Sequence, residues 1–78
     1  MRGTGPVTLN GVAVYAYFTA TEGATIRLRV SVDESDRLGL SEGHRVRVGL
    51  PGREPVEVLV TEVRWVPPVV WLDLRPLA

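Results

Sequence analysis

The fold is decided by the stretch DESDRLGLSEGHRVRV, residues 33–48. Side-chain oxygens of Asp33, Ser35 and Asp36 can accept hydrogen bonds from free backbone N–H groups and so start a short helix. The alternating run at the end of the stretch is typical of a strand. The pattern therefore predicts one short helical turn, near residues 35–40, between two strands.

Two glycines control this joint. Gly39 interrupts the helical turn, and Leu38 and Leu40 on either side of it are placed to press on a core. Gly43 comes just before the next strand and can adopt a positive φ angle without steric cost. We therefore expect left-handed backbone at Gly43.

The strands on both sides of the joint show strict alternation of apolar and polar residues, as half-buried strands do. The residues expected to face the core are Ile26, Leu28, Val30, Val32, Val46, Val48 and Leu50. The outward residues are Arg27, Arg29, Ser31, Arg45 and Arg47. If the two strands are neighbours, the four guanidinium groups share one face.

Earlier in the chain, Asn10 and Gly11 suit the two positive φ angles of a hairpin turn, although a bulge within one strand is the alternative. Residues 12–18, VAVYAYF, are apolar on both faces. One core can cover only one of them, so the face with Tyr15 and Tyr17 is expected to meet a second surface.

Residues 56–66 form the longest expected strand, and its apolar pattern changes phase midway. A β-bulge near Thr61 and Glu62 would return Val63 and Trp65 to the core face. Trp65 is therefore expected to be buried, and Trp71, on the side of the last strand that carries charges, to be wetter or interfacial. Two prolines at positions 67–68 cannot adopt positive φ, so a wide reversal is expected there.

Five or six short antiparallel strands, with a turn near Gly23 and others at short intervals, predict an all-β fold. We expect a small closed or partly open β-barrel, OB-like or TOBE-like, that forms a single domain over residues 1–78. A chain of this size buries only about 60% of the surface that it exposes when unfolded, so its core is marginal.

Composition excludes several classes. The chain has no Cys, no apolar run near 18 residues and no secretory h-region, so disulfides, cysteine-ligated zinc, a membrane span and export are not expected. Nine basic residues, all Arg, balance nine acidic ones. This net charge of zero makes nucleic acid an improbable partner and self-association easier. A cytoplasmic homo-oligomer is expected, and the scarcity of Asn and absence of Gln are typical of a heat-adapted source.

The residues do not predict an enzyme. The only His is His44, beside Gly43, and it is better interpreted as a solvated turn residue than as a metal or anion ligand. No serine lies in a nucleophile elbow, and no glycine run has a phosphate-loop spacing. No resident cofactor or metal is expected.

The arginines are the best candidates for binding. Arg27, Arg29, Arg45 and Arg47 could hold a carboxylate, phosphate or other oxyanion through bidentate contacts. The simpler alternative is a solvated wall in which they pair across strands with Glu57 and Glu62. Trp71, with Arg64 and Arg75 nearby, could be a stacking platform or part of a subunit contact. Tyr15, Tyr17 and Trp71 are thus the predicted interaction residues.

Two family resemblances refine these hypotheses. Residues 10–50 resemble molybdate-binding Mop and TOBE domains, in which a strand leads to Ser, Leu-Gly-Leu, Gly and a Val-rich strand. The matching positions are Ser31, Ser35, Leu38, Gly39, Leu40, Gly43, Val46 and Val48. This resemblance implies binding of molybdate or another oxyanion, and we expect Ser31, Ser35, Arg45 and Arg47 to make the contacts at a subunit interface.

The second resemblance covers about residues 30–75 and is carried by LPGREPVEVLVTEVRWV, residues 50–66, which looks like the later strands of PilZ domains. It implies an interaction module for a cyclic dinucleotide or a protein. Arg27, Arg29, Asp33 and Ser35 would then be the contacts. Nucleic-acid binding by an OB-like barrel is the third hypothesis.

Overall fold

The computed structural model describes residues 1–21 and 25–77, so the turn expected near Gly23 lies outside the described residues. Its elements are β1 (Arg2–Leu9), β2 (Val12–Ala20), β3 (Ile26–Ser31), α1 (Val32–Leu38), β4 (Arg45–Gly49), β5 (Val56–Val66) and β6 (Val69–Pro76). The strands close into an antiparallel barrel in the order β1-β2-β3-β6-β5-β4. The predicted all-β fold is confirmed, and the barrel is of the closed kind.

The core fills the inside of the barrel and follows the predicted alternation. Ile26, Leu28 and Val30 on β3 are buried, and so are Val46 and Val48 on β4. The intervening arginines point outward and are exposed. Both strands therefore bury every second side chain, as a half-buried strand must.

The helix starts earlier than the sequence predicted. Ser31, and not the later polar cluster, is the N-cap: its side chain accepts a hydrogen bond from the Glu34 N–H at 3.1 Å. Asp33 then lies in the first turn, where negative charge favours a helix N-terminus. Ser31 takes this role because it is the last residue of β3 and still has extended backbone.

The two glycines of the joint behave as expected. Gly39 ends α1 in the left-handed conformation, and its N–H donates to the Ser35 carbonyl at 3.0 Å. Gly43 has a φ angle of 89° and donates its N–H to the Val60 carbonyl at 2.8 Å. Leu38 and Leu40 pack against the core from this end. The joint thus connects α1 to β4 and ties the connection to β5.

The hairpin alternative at residues 10–11 is confirmed over the bulge. Asn10 and Gly11 both have positive φ, and Leu9 pairs with Val12 across the turn. The turn also helps to close the barrel, because the Asn10 N–H donates to the Arg47 carbonyl at 2.8 Å and its side chain accepts from the Arg47 N–H at 2.9 Å.

The bulge in β5 is also confirmed, as a register shift between Val60 and Glu62. Val63 returns to the core face and is partly buried. The prediction for Trp65 was wrong, since this side chain is 55% exposed whereas Trp71 is half-buried. The reason is that β4 pairs with β5 only as far as Leu59. Among the described residues, the later half of β5 has no strand beside it on that edge, so the inward side of the strand is open to solvent at Trp65.

Tryptophan fluorescence should report this arrangement. In a Trp71→Phe variant, the remaining Trp65 should be quenched readily by acrylamide, because its ring is open to solvent. In a Trp65→Phe variant, the half-buried Trp71 should be quenched less. Equal quenching constants for the two variants at low protein concentration would contradict the structure.

The reversal between β5 and β6 is narrower than expected. Val66 pairs with Val69, so the turn has only two residues, and the peptide bond between Pro67 and Pro68 is cis. A turn with a cis proline reverses the chain without positive φ. The predicted wide reversal at positions 67–68 is therefore wrong.

Candidate functional site

The outer wall of the barrel carries a row of aromatic and arginine side chains. The backbone register places Tyr17 on β2 opposite Arg29 on β3, and Arg29 opposite Trp71 on β6. Trp71 in turn lies opposite Arg64 on β5. Because side chains at one register position of neighbouring strands lie side by side on the same face, these four form a continuous row across four strands.

At the centre of this row, Arg29 is held between two rings. Its Cζ atom lies 5.0 Å from the centroid of the Tyr17 ring and 5.7 Å from that of Trp71. Both distances are within the roughly 6 Å at which a cation is attracted to a ring face. The rings themselves meet edge to face, with centroids 6.3 Å apart and planes at 83°. We call Tyr17, Arg29 and Trp71 the Arg29 cluster.

The arginines that flank the cluster are neutralised by carboxylates. Arg27 Nε donates to Asp73 Oδ1 at 2.9 Å, and Arg64 Nε lies 2.9 Å from Glu62 Oε1. The hydrogen bond to Asp73, and then the negative charge of that group, raise the pKa of Arg27 above its ordinary value. Within residues 1–21 and 25–77, no carboxylate lies at ion-pair distance from Arg29.

The cluster therefore combines a fixed position with unused hydrogen-bonding capacity. A guanidinium group has five N–H donors in a rigid planar fork. In the described part of the chain, no hydrogen bond from the Arg29 side chain to a protein acceptor is present. Tyr15, two residues before Tyr17 on the outward side of β2, is 70% exposed and extends the aromatic surface. The predicted interaction residues Tyr15, Tyr17 and Trp71 thus lie on one continuous part of the barrel wall.

The predicted face of four arginines does not exist. β3 has β2 and β6 as neighbours, and two strands separate it from β4 in either direction around the barrel. Arg45 and Arg47 therefore lie on the opposite wall from Arg27 and Arg29. The error lies in the strand order, because alternation assigns each strand an outward side but does not say which strands are adjacent.

On that opposite wall, Glu57 pairs across strands with one of the four arginines, as the solvated-wall alternative expected, at 3.2 Å between Arg47 Nε and Glu57 Oε1. Glu62 pairs with Arg64 rather than with one of the four predicted arginines. Arg45 is exposed on β4. Both arginines of this wall thus have their charged groups in solvent.

The two serines lie at the junction of β3 and α1. Ser31 is on the outward side of β3, two residues after Arg29, and its hydroxyl oxygen caps the helix. Ser35 lies on α1 and is half-buried, and its carbonyl accepts from Gly39. His44 is exposed, as expected for a turn residue, and its Nδ1 accepts from the Ser41 N–H at 3.3 Å.

The Asp73 partner of Arg27 and the two-ring contact of Arg29 were not predicted. The sequence does hold a signal for both contacts. Arg27 and Arg29 are two residues apart on the outward side of one strand, and Trp71 and Asp73 are two residues apart on the outward side of another. That signal becomes useful only when β3 is known to pair with β6 in an antiparallel register.

A separate cleft of about 450 Å³ is present at the barrel end where β2 ends and β3 begins. Ile26, Val48 and Leu50 provide apolar lining, and Arg53 and Glu54 provide charge.

Among residues 1–21 and 25–77, no three His, Asp or Glu side chains are grouped as metal ligands. No helix in these two ranges has the length and apolarity to cross a membrane.

No protein-family model, curated protein or solved structure matches this chain. The geometry of the barrel wall is therefore the basis for inferring a function.

Proposed function

We propose that this barrel is a non-enzymatic binding module that takes an anionic group of its ligand at the Arg29 cluster. The observation that carries the proposal is that Arg29 is held between two aromatic rings, whereas each flanking arginine is paired with a carboxylate. A positively charged arginine that is held in position, and has no carboxylate partner among the described residues, is suited to bind an anion. The preferred ligand is a small oxyanion or carboxylate.

Preorganisation supports this choice of site. A free arginine side chain loses rotamer freedom when it binds, and that loss reduces affinity. Contacts with Tyr17 and Trp71 restrict the Arg29 side chain before any ligand arrives. Tyr, Trp and Arg are also the residues that most often dominate binding energy at protein surfaces.

The rings favour a second candidate ligand, a cyclic dinucleotide. Such a molecule carries both phosphates and flat bases, and Tyr17 and Trp71 provide aromatic surface beside the guanidinium. Base stacking on aromatic side chains contributes about 1–3 kcal/mol per base in proteins that bind single strands. Of the residues implied by the PilZ resemblance, Arg29 supplies the anion contact in this candidate, whereas Arg27 is engaged with Asp73.

The molybdate version of the proposal uses different residues and requires a second copy of the chain. Ser31 ends β3, which is separated by two strands from β4 with Arg45 and Arg47, and Ser35 lies on α1, so this version joins the four residues through a contact between two copies. A cytoplasmic homo-oligomer is part of this version. General nucleic-acid binding ranks below both, because the chain has no net charge.

A thermal-shift series tests the proposal. We expect at least one of molybdate, tungstate, sulfate, phosphate and cyclic di-GMP to raise the melting temperature, because a ligand that binds only the folded state stabilises it. In a domain of this size, 1 kcal/mol of stabilisation corresponds to about 4–8 °C. Arg29→Gln should abolish the shift. Arg75→Gln should retain the shift. Arg75 is an exposed, outward arginine on β6, four residues after Trp71.

Two outcomes would count against the proposal. No shift with any of these anions would remove anion binding as the function. An equal shift in the wild type and in Arg29→Gln would place the anion elsewhere. In that second case, loss of the shift in Arg45→Gln or Arg47→Gln would support the subunit-interface version instead.

Arg29→Lys, which keeps the charge but not the planar fork, should retain only part of the shift.

A further inference from the structure

Part of β2 has a main-chain edge that no other strand covers. β3 pairs with β2 only between Tyr17, opposite Arg29, and Ala20, opposite Ile26. After Ser31 the chain turns into α1, which packs mainly against β3 and β6. Residues 12–16 of β2 therefore have β1 on one side and no strand on the other.

The direction of the main-chain groups follows from the hairpin turn. In a hairpin with a two-residue turn, the residues that flank the turn, here Leu9 and Val12, form a hydrogen-bonded pair, and the bonding then alternates along the strand. The groups of Ala13 and Tyr15 thus point away from β1. Pro6 agrees with this assignment, because it lies opposite Tyr15 and has no N–H to donate.

These groups are available for pairing. Within residues 1–21 and 25–77, no main-chain hydrogen bond from a loop, the helix or another strand reaches Ala13 or Tyr15 on that side. Two N–H groups and two carbonyl groups are therefore presented in a row. A row of this kind is a template for another strand.

The edge also lacks the protection that natural sheet edges usually have. Charged side chains and prolines commonly guard such edges, but residues 12–16, VAVYA, contain neither. Val12 is 45% exposed although it belongs to the apolar series of β2. The open part of β5 is different, because the Glu42 carboxylate accepts from the Val63 N–H at 3.3 Å and Arg64 follows directly.

We propose that this edge pairs with the same edge of a second copy of the chain. The two β2 strands run antiparallel about a two-fold axis, with Ala13 of each copy opposite Tyr15 of the other. The four main-chain groups of each copy then find partners in the other copy. One continuous sheet forms, with the order β1-β2 in one copy followed by β2-β1 in the second.

The sequence of the edge is complementary to itself in this register. On the outer face, the small Ala13 lies beside the large Tyr15 of the second copy, and the same contact occurs again by symmetry. On the inner face, Val14 meets Val14, and Val12 meets Ala16. No charge is buried, and the neutral chain opposes association with little long-range repulsion.

The pairing between copies ends where β3 begins to cover β2. In the proposed register, Ala16 lies opposite Val12, the first residue of β2 in the second copy, and Tyr17, which pairs with Arg29, falls opposite Gly11 in the hairpin turn of the other chain. The turn also comes next to the Arg29 cluster. The strand pairing depends on main-chain groups of β2 and not on Arg29, so it stands whether or not an anion binds there.

Molar mass measured against concentration tests the pairing. Sedimentation equilibrium should show the wild type changing from 8.6 kDa to twice that value as its concentration rises through the micromolar range. Tyr15→Pro should stay monomeric, because proline removes an N–H that only the second copy uses. Its melting temperature in dilute solution, measured by circular dichroism, shows whether the monomer fold is kept.

Exchanging the two outer residues tests the register without disturbing the main chain. Ala13→Tyr places two large residues together and Tyr15→Ala two small ones, so each single variant should weaken dimerisation. The double variant with both changes restores the pairing of small with large and should recover it. Amide hydrogen exchange provides a second readout: the Ala13 and Tyr15 amides should become protected at high concentration, while that of Trp65, on the other open edge, should not.

A mass of 8.6 kDa at every concentration would overturn the proposal. A dimer that persists in a folded Tyr15→Pro variant would overturn it too. If that variant does not fold, the exchange variants decide, because a double variant no better than either single variant contradicts the register. Protection of Trp65 instead of Ala13 and Tyr15 would assign the contact to β5.

Discussion

Replacement of Leu28 by Ala is expected to lower the free energy of unfolding by about 2–5 kcal/mol, the usual cost when a buried leucine is truncated and leaves a cavity. Leu28 is 0% exposed. It lies in the register between Phe18 on β2 and Leu72 on β6, both of which are buried. A cavity at this position would be lined by buried side chains on both neighbouring strands. These packed side chains have little freedom to move in and fill it.

The loss would be a large share of the total stability, since domains are typically stable by only about 5–15 kcal/mol. Urea unfolding followed by circular dichroism would measure it. Leu77→Ala is the matched control, because Leu77 is 44% exposed and should cost within about 0.5 kcal/mol. Equal midpoints for the two variants would show that the barrel interior is not packed as described.

Replacement of Gly43 by Val should destabilise the protein by more than about 1 kcal/mol, for a different reason. The φ angle of 89° lies in the region that a β-branched residue rarely adopts. Among residues 1–21 and 25–77, apart from Gly43 and its two chain neighbours, no atom lies within 4 Å of the position that a Cβ would take, so strain in the backbone and not a clash is the expected cause. The hydrogen bond from the Gly43 N–H to the Val60 carbonyl opposes relaxation of this angle.

Gly43→Asn is the control for this prediction, because asparagine tolerates left-handed backbone better than other side chains with a Cβ. Its melting temperature should lie between those of the wild type and Gly43→Val. If Gly43→Val melted at the wild-type temperature, the position would not need a positive φ angle, and the joint between α1 and β4 would be less constrained than its geometry indicates.

Both predictions depend on features that were already visible in the sequence. Alternation placed Leu28 inside, and the position of Gly43 before a strand predicted its φ angle. The change of phase in β5 located the bulge near Thr61. These inferences succeed because they are local: the side-chain period of a strand is two residues, and a glycine is the residue that adopts positive φ at the least cost.

The candidate site could be predicted only in part. Tyr15, Tyr17 and Trp71 were expected to form an interaction surface, and the structure places them on one wall. The grouping of the arginines was wrong, because it required β3 and β4 to be neighbours. The burial of Trp65 was also wrong, because β4 pairs with β5 only as far as Leu59 and the bulge by itself does not bury the later half of β5.

By itself, the sequence determined most of the strands, which side of each regularly alternating strand faces inward, and where the chain turns, but not the first half of β1, residues 2–5. Only the tertiary structure decided which strands are adjacent, and with that which side chains share a wall. Closure of the barrel brings β3 beside β6, although Ser31 and its partner Val69 are 38 positions apart in the chain (69 − 31). That pairing supplies Asp73 to Arg27 and Trp71 to Arg29. Strand order depends on how six strands close together around one core, and no local pattern of residues contains that information.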